Sequence, residues 1–102
     1  MIVKIPSKVK CGAYTYRLRL IKDLVITADR VGEYRPHDAE IVIDEAIHPQ
    51  QKGVTLIHEY LHAVNTVHSL HLDDDTIDRL AQGFMEFLQC LGIELDWQNI
   101  SP

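Results

Sequence analysis

Apolar and polar residues alternate with a period of two along the first part of the chain. In TYRLRLI, Tyr16, Leu18 and Leu20 take one side and Arg17 and Arg19 the other, the pattern of a strand with one buried and one solvated face. The preceding IVKIPSKVK has the same strand character, and Cys11-Gly12-Ala13 between the two reads as a turn. KDLVITADRV shows no periodicity that selects an element. GEYRPHDAEIVIDEA reads as a second hairpin, with Pro36, His37 and Asp38 in the turn and Ala39–Asp44 forming a short, nearly continuous apolar strand.

From Pro49 the pattern becomes helical. Proline suits the first turn of a helix, and the run to about His68 holds no breaker except Gly53 near its start. SLHL is a short connection. Asp73 is a good N-cap for a second helix, with Asp74 and Asp75 in the first turn, where the helix dipole favours anions. Ile77, Leu80, Ala81, Phe84, Leu88 and Leu91 form its expected core stripe, and Gly92 its stop. Strands first and helices second predict an α+β fold, a small antiparallel sheet in the N-terminal half packed against the two helices. With 102 residues and 46% apolar content, residues 1–102 are expected to form one domain with enough core to fold without staples.

A net charge of −5 argues against binding to nucleic acid or an acidic membrane. Lys4, Lys8, Lys10, Arg17, Arg19 and Lys22 cluster early and alternate with apolar residues. That is the solvated face of a hairpin, or else a docking face for an acidic partner. Cys11 and Cys90 lie far apart and form no C-x-x-C, so two free thiols in a reduced compartment are expected. The N-terminus lacks a signal-peptide core and no apolar run is long enough to cross a membrane, so the expected location is cytoplasmic.

The chemistry concentrates in LIHEYLHAV. His58-Glu59-Tyr60-Leu61-His62 matches H-E-x-x-H, which on a helix lets both imidazoles reach one ion with the glutamate beside it. At about 100° per residue, Asn65, His58, Ser69, His62, Thr55, Thr66 and Glu59 share one arc of about 120° on an otherwise apolar wheel. A helix so apolar is buried, so its polar stripe should line a cleft. Two satisfied histidines in an ordinary helix are the alternative. Zinc takes neutral imidazole nitrogens and keeps a position open for water, whose pKa it lowers while polarising a carbonyl. Glu59 is placed to accept the water's proton and pass it to a leaving amine.

The third ligand has several candidates, among them His68, Asp74 and Asp78. HEYLHAVNTVH has the metzincin spacing with Asn65 in place of the glycine that lets the chain leave the helix. Nothing else there stops the helix, and Met85 sits within a helical stripe rather than a Met-turn. If the helix continues, His68 points away from the metal face. The chain more closely resembles gluzincins, and within them short ImmA/IrrE-type and phage-encoded metallopeptidase-like proteins. There, strands precede the H-E-x-x-H helix, and an E-x-x-x-D pattern on a second helix supplies an acidic ligand and an aspartate that supports a metal-binding histidine. The matching residues are Asp74 and Asp78, and the resemblance spans roughly residues 39–91. Asp74 is a methylene shorter than the usual glutamate and lies nearer the second histidine in sequence. For antiparallel helices with a short loop, Asp78 is the acid expected closer to the level of His62.

The resemblance implies a zinc metallopeptidase acting on a protein or peptide substrate, with His58, His62 and Asp74 as ligands and Glu59 as general base. A zinc-binding interaction module that keeps the core without turnover is the alternative. AEIVID is either the edge strand that zincins pair with substrate or a plain core strand. Tyr60 and Trp97 are expected to pack, and His37 and His48 to be surface residues or, facing the cleft, oxyanion stabilisers.

Overall fold

The computed structural model describes residues 1–28 and 30–100. Lys8–Cys11 (β2) and Tyr14–Ile21 (β3) form the expected antiparallel hairpin, Lys8 opposite Arg17 and Cys11 opposite Tyr14. Gly12 takes φ +60 in its turn, a conformation that disfavours any residue with a Cβ. Ile2–Lys4 (β1) does not belong to this hairpin. It pairs in parallel with Glu94–Asp96 (β6), so IVKIPSKVK divides at Pro6 between two separate sheets.

β3 is followed by a short helix, Leu24–Ala28 (α1), inside the stretch whose pattern selected no element; Asp29 lies outside the described residues. Gly32–Arg35 (β4) and Glu40–Asp44 (β5) make the second hairpin around a 3-10 turn at Pro36–Asp38. The strand order is β2-β3-β5-β4. β3 and β5 run parallel, because α1 carries the chain across before β4 returns it. The architecture is α+β as expected, but the sheet is mixed rather than wholly antiparallel. β5 is the buried central strand, and β4 the edge.

Pro49–Val67 (α2) lies on the sheet face bearing Tyr16, Leu18, Leu20, Ile41 and Ile43, with Ala63 fully buried in that core. Tyr60 and Trp97 pack against it as expected, and the Tyr60 hydroxyl donates to the Lys10 carbonyl at 2.6 Å. Asp74–Cys90 (α3) packs on α2. Asp73 caps it, its side chain accepting from the Thr76 amide at 2.8 Å. The expected stripe on α3 is only half right. Ile77 and Ala81 are fully buried and Leu88 is half-buried, whereas Leu80, Phe84 and Leu91 are 40%, 51% and 57% exposed. With only one helix to pack against, a narrow strip is covered, completed by Met85. Among the described residues no helix is long and apolar enough to cross a membrane. Cys11 is buried, Cys90 exposed, and both are free.

The opposite sheet face holds two buried carboxylates. Glu40 meets Arg17, Arg19 and Arg35 at 3.2, 3.1 and 3.2 Å, so two of the cations expected in solvent serve an internal acid. Asp44 accepts from the amides of Val25 and Ala46, both at 2.9 Å, anchoring α1 to β5. Those amides hold Asp44 below its ordinary value despite burial. Burial pushes Glu40 up, but hydrogen bonds from Arg19 and Arg35 and the charges of Arg19 and Arg17 more than offset it.

Both carboxylates bind protons more weakly folded than unfolded. Their stabilisation is therefore complete above the ordinary values of 3.8 and 4.5 and is lost as pH falls through and below them. Urea denaturation at a series of pH values should show unfolding free energy constant near neutrality and falling below about pH 5. Asp44→Ala should lower it at neutral pH by about 1–3 kcal/mol and flatten the acid slope. An unchanged slope would show that Asp44 contributes nothing to acid sensitivity.

Candidate metal centre

α2 is fixed at its start by Pro49 and by His48, whose Nδ1 accepts from the Gln50 amide at 3.2 Å. From Lys52 to Asn65 no residue is exposed, as expected of a helix held between a sheet and a second helix. One turn apart on it, the Nε2 atoms of His58 and His62 face each other at 3.1 Å. Two nitrogens on one tetrahedral zinc would stand about 3.3 Å apart, given bonds of about 2.0–2.1 Å. Ligand atoms of His58, Glu59 and His62 all lie within 4.8 Å of one another, a group that could hold a metal ion.

His58 and Glu59 line a cleft of about 330 Å³ together with Arg30, Gly32, Thr55 and Asp78. Glu59 is only 8% exposed. Burial raises its proton affinity, while the charge of His58 and the backbone amide of Tyr34 pull the other way, and the net shift is upward. Burial and the neighbouring His58 lower the pKa of His62 against an opposing contribution from Asp74. The imidazole is thereby biased toward the neutral form that ligates metals.

Gly32 matters to this geometry. A Cβ there would lie 2.5 Å from Thr55 Cγ2 and 3.2 Å from Glu59 Cγ, so the edge strand reaches the helix only because position 32 has no side chain.

The first turns of α3 bring both predicted acids to the histidines. Asp74 Oδ1 stands 3.9 Å from His62 Nε2, and Asp78 Oδ1 stands 3.5 Å from His58 Nδ1. The level expectation was therefore inverted: Asp74, not Asp78, is opposite His62. The reason is the compact connection between the helices. Ser69 and His71 adopt left-handed conformations, φ 53 and 61. The Asn65 side chain accepts from the Leu72 amide at 2.9 Å and donates to the Leu72 carbonyl at 3.2 Å. Asn65 thus does not end the helix, as a metzincin glycine would; it clasps the returning chain. α2 continues through Val67, and His68 is its exposed C-cap, outside the His58–Glu59–His62 group. His37 lies in the 3-10 turn and His48 caps α2, and neither lines the cleft.

Of the polar arc expected to line a cleft, Thr55, His58 and Glu59 do so, whereas His62, Asn65 and Thr66 lie outside its lining; sequence reasoning missed Arg30 and Gly32. Among the described residues Arg30 is the one arginine or lysine lining the cleft, in a stretch without periodicity, and the close approach at Gly32 has no local signal. No protein-family model, curated protein or solved structure matches the chain.

Asn65→Ala removes both bonds to Leu72 at once. It should lower unfolding free energy, measured in urea, by about 1–3 kcal/mol, because a half-buried amide and carbonyl lose their partner. Asn65→Asp should fall between, keeping an acceptor for the Leu72 amide alone. Equal stability of Asn65→Ala and the parent would show that the clasp does not hold the loop.

Proposed function

We propose that the chain is a zinc-dependent metallopeptidase of gluzincin type, similar in plan to the short ImmA/IrrE-type and phage-encoded metallopeptidase-like proteins, cleaving peptide bonds in a protein or peptide substrate. One observation carries the proposal. The Nε2 atoms of His58 and His62 converge while Asp74 faces the second histidine and Asp78 faces the far nitrogen of the first. Two imidazoles and one carboxylate are three protein ligands, the number that leaves a fourth position for water in a catalytic rather than a closed structural zinc site.

His58, His62 and Asp74 would hold the ion. Zinc would polarise the scissile carbonyl and make a water acidic near neutral pH. Asp78 Oδ1, 3.5 Å from His58 Nδ1, is placed to favour the tautomer with its proton on Nδ1, which would leave the Nε2 lone pair free for the ion. Glu59, with its raised proton affinity, takes the proton released in the attack and delivers it to the leaving amine. β4 ends its sheet beside the cleft, so its outer edge can pair with an extended peptide, a role that the central β5 cannot take. Arg30, which lines the cleft and stands 3.9 Å from the Glu33 carboxylate, is the cation that could turn to oppose developing negative charge.

A zinc-binding interaction module without turnover is the second reading. The depth of Glu59, only 8% exposed, favours it, because a general base has to meet water and substrate.

Purified protein should contain one zinc per chain, lost in His58→Ala and His62→Ala. Competition with a chromophoric chelator should rank Asp74→Ala as a larger loss of affinity than Asp78→Ala, for which about 10–100-fold is expected. His68→Ala should leave affinity unchanged. Undiminished zinc in both histidine variants would refute the site.

Glu59→Gln separates the two readings. It should retain zinc and fold while metal-dependent cleavage of a diverse peptide library drops at least about 100-fold. A parent protein that binds zinc and cleaves nothing in that library supports the module.

A further inference from the structure

The cleft beside His58 does not stop at the metal centre. It continues into a second hollow of about 390 Å³, with which it shares Gln51, Val54 and Gln82 as walls. That hollow in turn meets a third, of about 540 Å³, across Gln50, Met85 and Gln89. Together they form one groove along the boundary between α2 and α3, ending at β6. On α3, Asp78, Gln82, Met85 and Gln89 recur at steps of four, three and four residues, so one stripe of that helix follows the groove throughout. Asp78 marks the level of His58, and Gln89 lies about 17 Å farther along the helix axis. An extended chain covers that distance in about five residues.

Four of the chain's five glutamines, Gln50, Gln51, Gln82 and Gln89, line this groove, and all four are exposed. An ordinary solvated helix face carries mixed charges instead. A carboxamide offers an acceptor and two donors without charge, the complement of a peptide group. Below the amides runs an apolar floor of half-buried Val54, Met85 and Leu95. Gly53 makes room for it, because a Cβ there would stand 3.0 Å from Met85 Sδ and 3.3 Å from Leu95 Cδ1. Among the described residues no lysine or arginine lines the second or third hollow, whose acids are Glu86 and Glu94. At the far end the Met1 ammonium donates to the Gly92 carbonyl at 2.7 Å, which leaves Glu86 as the acid of the groove's middle.

We propose that this groove holds one extended peptide segment on one side of the scissile bond, its main-chain amides against Gln51 and Gln82 and a basic side chain opposite Glu86. Glu86 lies about 12 Å along α3 from Asp78, so the basic residue is about the third or fourth from the metal centre. The position of the scissile bond rests on the metallopeptidase reading, whereas the binding itself needs no turnover.

NMR reads the groove directly, since each glutamine side chain gives its own amide signals. The isotope-labelled full chain carrying Glu59→Gln, with and without zinc, is titrated with the capped heptapeptide acetyl-AVAKAVA-amide. The side-chain signals of Gln51, Gln82 and Gln89 should move and saturate, while those of Gln98, outside the groove, stay in place. Adding Gln51→Ala or Gln82→Ala should weaken binding about 5-fold, the equivalent of one hydrogen bond; either one suffices if the other fails to fold. Glutamate in place of the peptide's lysine should weaken binding about 5-fold, a preference that falls to about 2-fold or less in Glu86→Gln. Groove signals that move in a chain that binds no zinc and cleaves nothing would sustain the groove and remove the metallopeptidase reading alone. Glutamine signals unmoved at about 5 mM peptide, folded variants that bind like the parent, or a glutamate peptide bound as tightly as the lysine peptide would each overturn the groove, even beside proven cleavage.

Discussion

The antiparallel contact between α2 and α3 is the constraint on which the candidate site depends. His58 and His62 converge by virtue of helical spacing alone, but a pair of imidazoles one turn apart is only half a metal centre. The acids come from another element, and their level is set by how the chain turns between Val67 and Asp73. Asn65 sets it. Its two bonds to Leu72 draw the returning chain close, so that Asp74 stands opposite His62 and Asp78 opposite His58. A looser loop would let α3 slide along α2, and a slip of one turn in one direction would set Asp78 opposite His62 and carry Asp74 past it.

A second constraint acts from the other side of α2. β4 approaches it where Gly32 leaves room, closing the cleft over Glu59 and Thr55. The buried glutamate therefore experiences two opposed influences, desolvation on one hand and the Tyr34 amide and His58 charge on the other. The sheet that carries β4 is itself pinned by Glu40 among three arginines and by Asp44 under α1. Arg35 of β4 is one of the three partners of Glu40, so the same buried acid also ties the edge strand to β5.

Much of this was legible in the residues. The H-E-x-x-H motif, the polar stripe on an apolar helix, the Asp73 cap and the two hairpins all follow from local spacing, and the structure bears them out. What escaped depends on pairings between distant segments. Nothing local distinguishes a strand that joins β3 from one that joins β6, so β1 could not be separated from β2. The parallel β3–β5 pairing needed α1, whose five residues are too few to show a helical period. The apolar stripe of α3 was legible as apolar, but how much of it a single neighbouring helix could cover was not. Asn65 looked like a substituted glycine because the motif places one there; its role as a clasp needs Leu72 in view.

The most direct test of the proposed centre is a crystal structure of the zinc-loaded protein with anomalous scattering at the zinc edge. The account requires one ion bonded to His58 Nε2, His62 Nε2 and an Asp74 oxygen at about 2.0–2.2 Å, a side open to the cleft, and Asp78 on His58 Nδ1. An ion held by His68 after the chain leaves the helix at Asn65, or one bound to the two histidines with both aspartates turned to solvent, would contradict it.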